Sequence, residues 1–332
     1  MAKGLVTIIG GSGFIGRYAA RVFVEAGWRV RVACRRPNVA QDVKVAGLPG
    51  WVDLVQANVR NPASLARAVE GADVVVNLVG ILFEAGKQTF EATQDAGAKA
   101  VAEAARVAGV SRLVHMSAIG ADQASKADYA RTKAEGEAAV REAFPEAVIL
   151  RPSVVFGPED EFFNKFASMA CWPVMHFLPV MPLIGGGKTR VQPVYAGDVA
   201  KAIVAAATLD EAAGKTYELG GPRAYSFREI YDYIFEVTDR HRLKLPVPFL
   251  AMKPLALMTG AAFRIPMMRL FFGAPPITGD QIDMLKTDNV VADGALGLSE
   301  LGIPEPESVE AIVPTYLWRF RPYGEFHQAE SA

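Results

Sequence analysis

The chain has 332 residues, 51% of them hydrophobic and 21% charged, with a formal net charge of −1. This length and apolar content can bury a large core in one or two globular domains. The two cysteines, Cys34 and Cys171, exclude a disulfide framework, and with four scattered histidines the chain offers no metal-type spacing, so we predict no bound metal. The N-terminus shows no signal or transit pattern, and no apolar run reaches the roughly 18 residues of a membrane span.

Strands and helices are predicted to alternate over the first 150 residues. The β-branched runs predict strands at Leu5–Ile9, Val30–Cys34, Val52–Gln56, Val74–Leu78, Leu113–Met116 and Val148–Leu150. The helical patterns are at Phe14–Ala26, Pro62–Val69, Thr89–Ala108 and Tyr129–Glu142. Asn61 before Pro62 is a typical helix start. The alternation predicts an α/β fold, with residues 1–150 forming a Rossmann-type, doubly wound parallel sheet.

The pattern becomes looser after Arg151, and prolines are frequent. Helices are predicted at Asp198–Thr208, Ser226–Val237, Phe249–Phe263, Gly279–Leu285 and Val309–Trp318. Ser226 and Glu229 have the spacing of a capping box. We therefore expect residues 151–332 to form a smaller, loop-rich domain, with some elements returning to the Rossmann core.

A glycine-rich turn follows the first predicted strand. Gly10, Gly13 and Gly16 have the spacing G-x-x-G-x-x-G and lie between a strand and a helix. Small residues are needed there for the tight turn, for the approach of backbone N–H groups to a pyrophosphate, and for helix packing. Because the motif has the required strand and helix on either side, it predicts a dinucleotide site.

Two arginines follow the second predicted strand, where NAD-preferring sites usually carry an acid. An Asp or Glu at that place accepts a hydrogen bond from the ribose 2′-hydroxyl. This chain has Arg35 and Arg36 instead, and its next acid is Asp42. Guanidinium groups bind a phosphate through paired, charge-assisted hydrogen bonds. The sequence favours NADP(H) over NAD(H), the alternative being that both arginines are ordinary surface charges.

Ser117, Tyr129 and Lys133 form a constellation that could be catalytic. Tyr129 and Lys133 are four residues apart and so share one helix face. A lysine beside a tyrosine favours the phenolate, and a serine hydroxyl can hold a substrate oxygen during hydride transfer. The pair could equally hold the nicotinamide ribose without turnover, so a catalytic and a binding-only role both stay open.

These motifs together resemble the extended or atypical short-chain dehydrogenase/reductases. The resemblance rests on the glycine turn, the three residues of the constellation, and the segments Asn77-Leu-Val-Gly80 and Arg151-Pro-Ser-Val-Val-Phe-Gly-Pro158. One departure is that the segment between Ser117 and Tyr129 is much shorter than in sugar-epimerase members. We assign the cofactor to Gly10, Ser12, Gly13, Phe14, Ile15, Gly16, Arg35, Arg36, Asn58, Leu78, Val79, Gly80, Tyr129, Lys133 and Pro152.

Later segments resemble one family in particular, the nucleotide-binding accessory subunit of respiratory complex I (alpha-subcomplex subunit nine). They include Val79-Gly-Ile-Leu-Phe83, Phe162-Phe-Asn-Lys-Phe-Ala-Ser-Met169, Gln192-Pro-Val-Tyr195 and Leu298-Ser-Glu-Leu-Gly302. The likeness extends from about Leu5 to Tyr316-Leu-Trp-Arg-Phe320. It implies a tightly held NADP(H) with a structural or regulatory role among other complex I subunits, near the quinone-binding region.

A basic and apolar segment over residues 240–279 suggests a membrane surface as a partner. No acidic residue lies between Asp239 and Asp280, and arginines and lysines alternate there with Leu, Met and Phe. An interfacial segment needs this composition, although an ordinary core with charges facing solvent explains it equally well. The apolar stretch Phe162–Ile184 could line a pocket for an apolar ligand or face a partner. The sequence contains no basic stripe with stacking aromatic residues, so it does not predict nucleic-acid binding.

The sequence is compatible with three functions. The first is a peripheral accessory and assembly subunit of NADH:ubiquinone oxidoreductase, on the cytoplasmic face of a bacterial inner membrane, or on the matrix face if the chain is organellar. The second is a free-standing NAD(P)-dependent reductase or epimerase acting through Ser117, Tyr129 and Lys133. The third is a redox-sensing regulator whose NADP(H) occupancy alters a protein contact.

Overall fold

The computed structural model of the chain describes residues 2–171, 179–252, 254, 278–322 and 324. Up to Pro152 the elements alternate as strand and helix. The strands are β1 (Leu5–Ile9), β2 (Arg29–Cys34), β3 (Val52–Gln56), β4 (Val74–Asn77), β5 (Arg112–Met116) and β6 (Val148–Pro152). The helices are α1 (Phe14–Glu25), α2 (Pro62–Val69), α3 (Ala96–Val107) and α4 (Asp128–Ala143). Asn61 caps α2 as predicted, its side chain accepting from Ser64 N at 3.3 Å.

Beyond Pro152 the strands are mostly short. The next elements are β7 (Val155–Phe156), α5 (Phe163–Ala170), β8 (Val180–Ile184), β9 (Arg190–Val191), β10 (Val194–Tyr195), α6 (Ala196–Thr208) and β11 (Thr216–Leu219). They are followed by β12 (Tyr225–Ser226), α7 (Phe227–Val237), β13 (Leu243–Val247), α8 (Gly279–Met284), α9 (Val309–Ile312) and α10 (Pro314–Leu317). The predicted capping box is confirmed, because Ser226 and Glu229 each bind the other's backbone N–H at the start of α7.

The main sheet has seven strands in the order β11-β6-β5-β4-β1-β2-β3, and all neighbouring strands are parallel. This confirms the predicted Rossmann-type α/β fold. From β1 the chain proceeds to β2 and β3 on one side and to β4, β5 and β6 on the other. The strand order therefore reverses at β1 and β4, where ligands of open α/β sheets bind at the carboxyl ends.

The chain divides into two compact units. The first comprises Met1–Pro152, Ala196–Leu219 and Val291–Glu305, and the second comprises Ser153–Tyr195, Gly220–Val290 and Pro306–Ala332. Helix α6 and strand β11 thus belong with the main sheet although they follow residue 150 in the sequence. Beyond β6, the chain leaves the first unit and returns to it twice.

The first unit has a core formed by both faces of the sheet. Strand residues such as Ile8, Val76 and Ile149 are completely buried. Strands covered on both faces become continuous apolar runs, which explains the β-branched segments of the sequence. Small residues dominate the buried face of α3, among them Ala98, Ala102 and Ala105, so this helix can pack closely.

The second unit has its own aromatic core. Phe156, Phe163 and Phe166 lie among edge-on aromatic contacts that extend to Tyr231, with centroid separations of 5.0–5.8 Å along the way. Ile230 and Ile234 of α7 are fully buried in the same cluster. These contacts bring α5 and α7 together, so the aromatic residues of Phe162–Met169 form core in the described part of the chain.

Several predicted boundaries differ from the structure by one or two residues, and two predicted helices differ by more. Strand β4 ends at Asn77 instead of Leu78. The predicted helix Thr89–Ala108 opens with a π-helical turn at Glu91–Asp95, and α3 starts only at Ala96. The predicted helix Val309–Trp318 is split into α9 and α10, because Pro314 lacks the N–H that a continuous helix would need.

The predicted helix Phe249–Phe263 and most of the segment 240–279 lie outside the described residues. Within the described part of the chain, no helix is long and apolar enough to cross a membrane.

Gly136 of α4 lies directly against the π-helical turn, and its substitution tests this packing. A Cβ at this position would overlap the carbonyl oxygen of Gln94. We expect Gly136→Ala to destabilise the protein by about 1–3 kcal/mol, because the backbone must move, and to lower the midpoint of thermal unfolding measured by circular dichroism. The control Gly279→Ala, where a Cβ meets nothing within 4 Å, should be neutral or stabilising. Equal midpoints for the two variants would contradict the close approach.

Candidate dinucleotide-binding site

The glycine turn has the geometry that a pyrophosphate site requires. Gly10 has a φ of +83°, a conformation that favours glycine. Its N–H donates to the carbonyl of Ala33 on β2 at 2.9 Å, and Gly13 N–H donates to Gly10 O at 3.0 Å. A Cβ on Gly16 would lie 2.6 Å from the backbone of Gly11. The third glycine therefore lets α1 pack directly on the turn.

The amino terminus of α1 is open to an anion. Gly13 is the N-cap and supplies no capping side chain, and the first turn of α1 contains no acid. The first N–H groups of such a helix lack intrahelical partners and carry partial positive charge. Ser12, Phe14 and Ile15 are half-buried around this end. The cradle fits a dinucleotide pyrophosphate, as the spacing predicts.

The turn after β4 lies beside the glycine turn. Leu78 N–H donates to Ile9 O at 2.9 Å, and Val79 N–H donates to the side chain of Asn77 at 3.2 Å. A Cβ on Gly80 would lie 3.4 Å from Lys133 Nζ. Leu78, Val79 and Gly80 therefore lie between the glycine turn and the lysine of α4.

The ends of β2 and β3 carry the remaining predicted contacts. Arg35 and Arg36 are both exposed, and Arg35 Nη1 donates to Gln88 Oε1 at 2.7 Å. Asn58 is half-buried after β3, where its side chain accepts from Arg60 N at 3.1 Å. Parallel strands present their carboxyl ends at one edge of a sheet, so these residues share the edge with the glycine turn.

Lys133 is buried on α4, with 4% of its surface exposed. Its Nζ donates to the carbonyl of Met116 at the end of β5, at 3.1 Å. Burial lowers the pKa of Lys133 to about 8, and the nearby Glu137 carboxylate opposes that shift. The ammonium therefore lies at the carboxyl edge of the sheet, where it can donate to a ligand.

Ser117 and His115 place two unpartnered polar atoms beside that lysine. Ser117 is 3% exposed. Among the described residues, neither its Oγ nor His115 Nε2 has a hydrogen-bond partner. Burial and then the charge of Lys133 lower the pKa of His115 to about 3, so the imidazole is neutral. Buried groups of this kind can bind a ligand that supplies the missing partner.

Tyr129 lies on the first turn of α4, one turn before Lys133, and is half-buried. Its ring meets the ring of Phe90 edge to face, with the centroids 5.9 Å apart. Pro152 is buried at the end of β6, and its carbonyl accepts from Ile119 N at 3.0 Å. That bond ties the loop after Ser117 to the edge of the sheet.

Two polar groups that support the site are not among the predicted site residues. Arg151 binds the buried Glu137 through two hydrogen bonds, Nε to Oε1 at 2.8 Å and Nη2 to Oε2 at 2.6 Å. Gln94 donates to Ile81 O at 2.7 Å and accepts from Thr132 Oγ1 at 3.1 Å. Glu137 is four residues after Lys133 on the same helix face, a signal that was available in the spacing. Nothing in the sequence marks Gln94.

No group of three or more His, Cys, Asp or Glu side chains within the described ranges is placed to hold a metal ion. The described site is built from backbone amides, glycine turns and one buried ammonium, which suit a phosphate-bearing organic cofactor.

The chain belongs to the NAD dependent epimerase/dehydratase family, whose pattern matches residues 6–220. Among solved structures, that of gox2253 superposes with a TM-score of 0.70 at 20% identity, over 97% of this chain and 99% of the other, which shows the shared fold. A nicotinamide dinucleotide is therefore the class of cofactor that this family and this site define.

Within that family the chain is a member of the complex I alpha subcomplex subunit 9 group. It is 34% identical to NADH dehydrogenase (ubiquinone) 1 alpha subcomplex subunit 9, mitochondrial, of Mus musculus, over 95% of this chain and 81% of that protein. It is also 36% identical to the ceramide reductase of Caulobacter vibrioides, over 61% of each chain. The predicted resemblance to the complex I subunit is confirmed.

The burial of Lys133 predicts an unusual dependence of stability on pH. The pKa is about 8 in the folded protein against 10.5 for the ordinary side chain. The buried charge is therefore unfavourable below pH 8, and this penalty is relieved between pH 8 and 10.5, where the unfolded chain holds more protons.

We expect Lys133→Met to stabilise the cofactor-free protein by roughly 1–3 kcal/mol at pH 7. The difference from wild type should shrink as the pH approaches 10.5. Urea unfolding of both proteins between pH 7 and 10.5 measures it, with the exposed Lys99→Met as control. A wild type that is more stable than Lys133→Met at pH 7 would show that the ammonium is well compensated.

Proposed function

We propose that this chain is an NADP(H)-binding accessory subunit of NADH:ubiquinone oxidoreductase, assembled with other complex I subunits. The observation that carries the proposal is the similarity to subunit 9 across 95% of the chain. That similarity extends over the second unit as well as the first. A shared cofactor-binding fold alone does not explain similarity in the second unit. The respiratory and electron-transport role follows from the complex and not from chemistry at this site.

The site favours holding a cofactor over turning over a diffusible substrate. Ser117 is almost completely buried, so its hydroxyl is poorly placed to meet a substrate arriving from solution. His115 is neutral and buried, and so is not a general base at neutral pH. In this proposal Lys133 and Tyr129 hold the nicotinamide ribose, and a bound cofactor would bring hydride chemistry that the protein does not use.

NADP(H) is favoured over NAD(H) by the charges after β2. Arg35 and Arg36 are exposed where an NAD site would carry an acid. Each charge-assisted hydrogen bond to a phosphate is worth about 1.5–3 kcal/mol. Two guanidinium groups at this position therefore suffice for a large preference.

We expect the double variant Arg35→Ala/Arg36→Ala to bind NADPH about a hundredfold more weakly, while its affinity for NADH stays within about threefold. Titration calorimetry measures both constants. The control is Arg67→Ala, which removes an exposed arginine on α2. A parallel loss for NADPH and NADH would assign the arginines to general binding and not to the phosphate.

A peripheral location at the membrane, close to the quinone site, is part of the proposal. At the start of the basic and apolar segment, Leu243, Leu245 and Leu250 are 69%, 55% and 78% exposed. Leu243 and Leu245 lie on one face of β13. Arg240 and Arg242 donate to main-chain carbonyls, so the exposed leucines support the proposal better than these cations do. The same face could meet a partner subunit or an apolar ligand such as a quinone.

A free-standing NADP(H)-dependent reductase is the second candidate. The similarity to the relative named ceramide reductase favours this candidate, at 36% identity over 61% of the chain. This candidate requires a turnover that Tyr129→Phe abolishes while cofactor binding is retained. A redox-sensing regulator is the third candidate, and it requires that NADPH change the affinity for a partner subunit.

In the deciding experiment, membranes are extracted in mild detergent. The C-terminally tagged chain is then followed on a native gel with an NADH:quinone activity stain. We expect the chain to migrate with the active band, and Tyr129→Phe to migrate with it as well, since the tyrosine only holds cofactor. Migration as a small species apart from the stained band would remove the accessory-subunit proposal. A substrate screen with wild type and Tyr129→Phe would then test the reductase.

A further inference from the structure

A small hairpin lies in the segment that connects β4 to the π-helical turn. Ala85 and Gln88 pair as an antiparallel bridge, with N–H···O distances of 2.9 and 3.0 Å in the two directions. Gly86, at its tip, has a φ of +58°. The hairpin belongs entirely to the first unit, and its residues are absent from the glycine and Tyr-x-x-x-Lys motifs.

Two arginines from neighbouring strand ends, after β2 and β3, hold this hairpin in place. Arg35, after β2, donates from Nη1 to Gln88 Oε1 at 2.7 Å. Arg60, after β3, donates from Nη1 to the carbonyl of Lys87 at 2.7 Å. Both bonds are charge-assisted and fix the position of the hairpin. Gln88 is therefore held next to the arginine assigned to the cofactor phosphate.

The orientation of the Gln88 amide follows from chemistry. A guanidinium only donates hydrogen bonds, so the atom facing Arg35 must be the amide oxygen. The amide nitrogen then carries two donors that point away from Arg35. Among the described residues this nitrogen donates to no protein acceptor, while the side chain itself is half-buried. A fixed neutral donor thus lies beside an exposed guanidinium, a combination suited to phosphate oxygens.

We propose that Gln88 is a specificity-determining residue for NADPH, acting from the hairpin after β4 in addition to the arginines after β2. Its oxygen holds the Arg35 guanidinium in place, and its amide nitrogen donates to the 2′-phosphate. Arg60 is a positioning residue that fixes the hairpin. This inference rests on the proposed NADP(H) binding and extends it to a position where an acid would reverse the preference.

Charge explains why one substitution here is informative. Gln88→Glu keeps the shape of the side chain but places a carboxylate at hydrogen-bonding distance from Arg35. The carboxylate would pair with the guanidinium and repel a phosphate dianion, while leaving a ribose hydroxyl an acceptor. Gln88→Ala removes the donor without adding charge. Gln123→Glu makes the same chemical change at an exposed residue after β5 and serves as the control.

The experiment measures dissociation constants of purified wild type and variants for NADPH and NADH by nicotinamide fluorescence, and for 2′,5′-ADP and 5′-AMP by calorimetry. We expect Gln88→Glu to weaken NADPH and 2′,5′-ADP binding about tenfold or more, with NADH and 5′-AMP changed less than about twofold. Gln88→Ala should show a smaller loss of the same selectivity, and Gln123→Glu none. Circular dichroism melts confirm that each variant is folded.

The outcomes of this experiment distinguish a failure of the proposed Gln88 role from a failure of the proposed NADP(H) binding. If Arg35→Ala lowers the NADPH preference but neither Gln88 variant does, Gln88 has no part in specificity and the inference is overturned while NADP(H) binding stands. If wild type binds neither nucleotide, or binds NADPH and NADH equally, the proposed NADP(H) function itself fails.

Discussion

The burial of the Lys133 ammonium is the constraint around which much of the first unit is arranged. A buried charge is unfavourable unless hydrogen bonds and opposite charge compensate it. Met116 O accepts from the ammonium, and Glu137 lies one turn further along α4. Glu137 in turn needs a partner and has it in Arg151 on β6. These contacts compensate the charge only in part, and they connect α4 to two strands of the sheet.

The same network extends to parts of the chain that are distant in sequence. Arg151 also lies 3.6 Å from Glu218 on β11. Glu218 accepts from the backbone N–H of Ala292 at 2.9 Å, and its own N–H donates to Leu296 O at 2.8 Å. These contacts explain in physical terms why β11 and residues 291–305 belong to the first unit. The edge of the sheet would otherwise expose unpaired backbone groups and an uncompensated carboxylate.

Binding and turnover make different demands on such a site. A tightly held cofactor requires amides, a buried cation and complementary packing, all of which are present at the ends of β1, β4 and β5. Turnover further requires that a substrate reach the serine and the tyrosine. The near-complete burial of Ser117 and the edge-on contact of Phe90 with Tyr129 favour a closed site. The residues that we propose to distinguish NADPH from NADH lie at the other end, at the strand ends near Arg35 and Arg60.

Much of the fold and part of the candidate site could be predicted from local sequence. The strands of the main sheet up to β6, the glycine turn, the Asn61 cap and the Ser226–Glu229 capping box are local patterns, set by residues within a few positions of one another. One local pattern predicted an element that differs from the structure. The periodicity of Thr89–Ala108 is helical throughout, yet the π-helical turn lies at its start, where Gln94 binds Ile81 and Thr132. Those partners are 13 and 38 positions away, so the helical periodicity of the segment does not reveal them.

By itself, the sequence determined the class of the fold and the glycine turn, because both depend on residue types at fixed short spacings. It also determined the family, because the matching segments extend along nearly the whole chain. Only the tertiary structure decided which side chains lie next to which. It brought Arg35 to Gln88 and Arg151 to Glu137, and it left the buried Ser117 hydroxyl without a partner among the described residues. The physical reason is that hydrogen bonds and burial depend on distances between strand ends, and those distances follow from the strand order of the sheet and not from sequence separation.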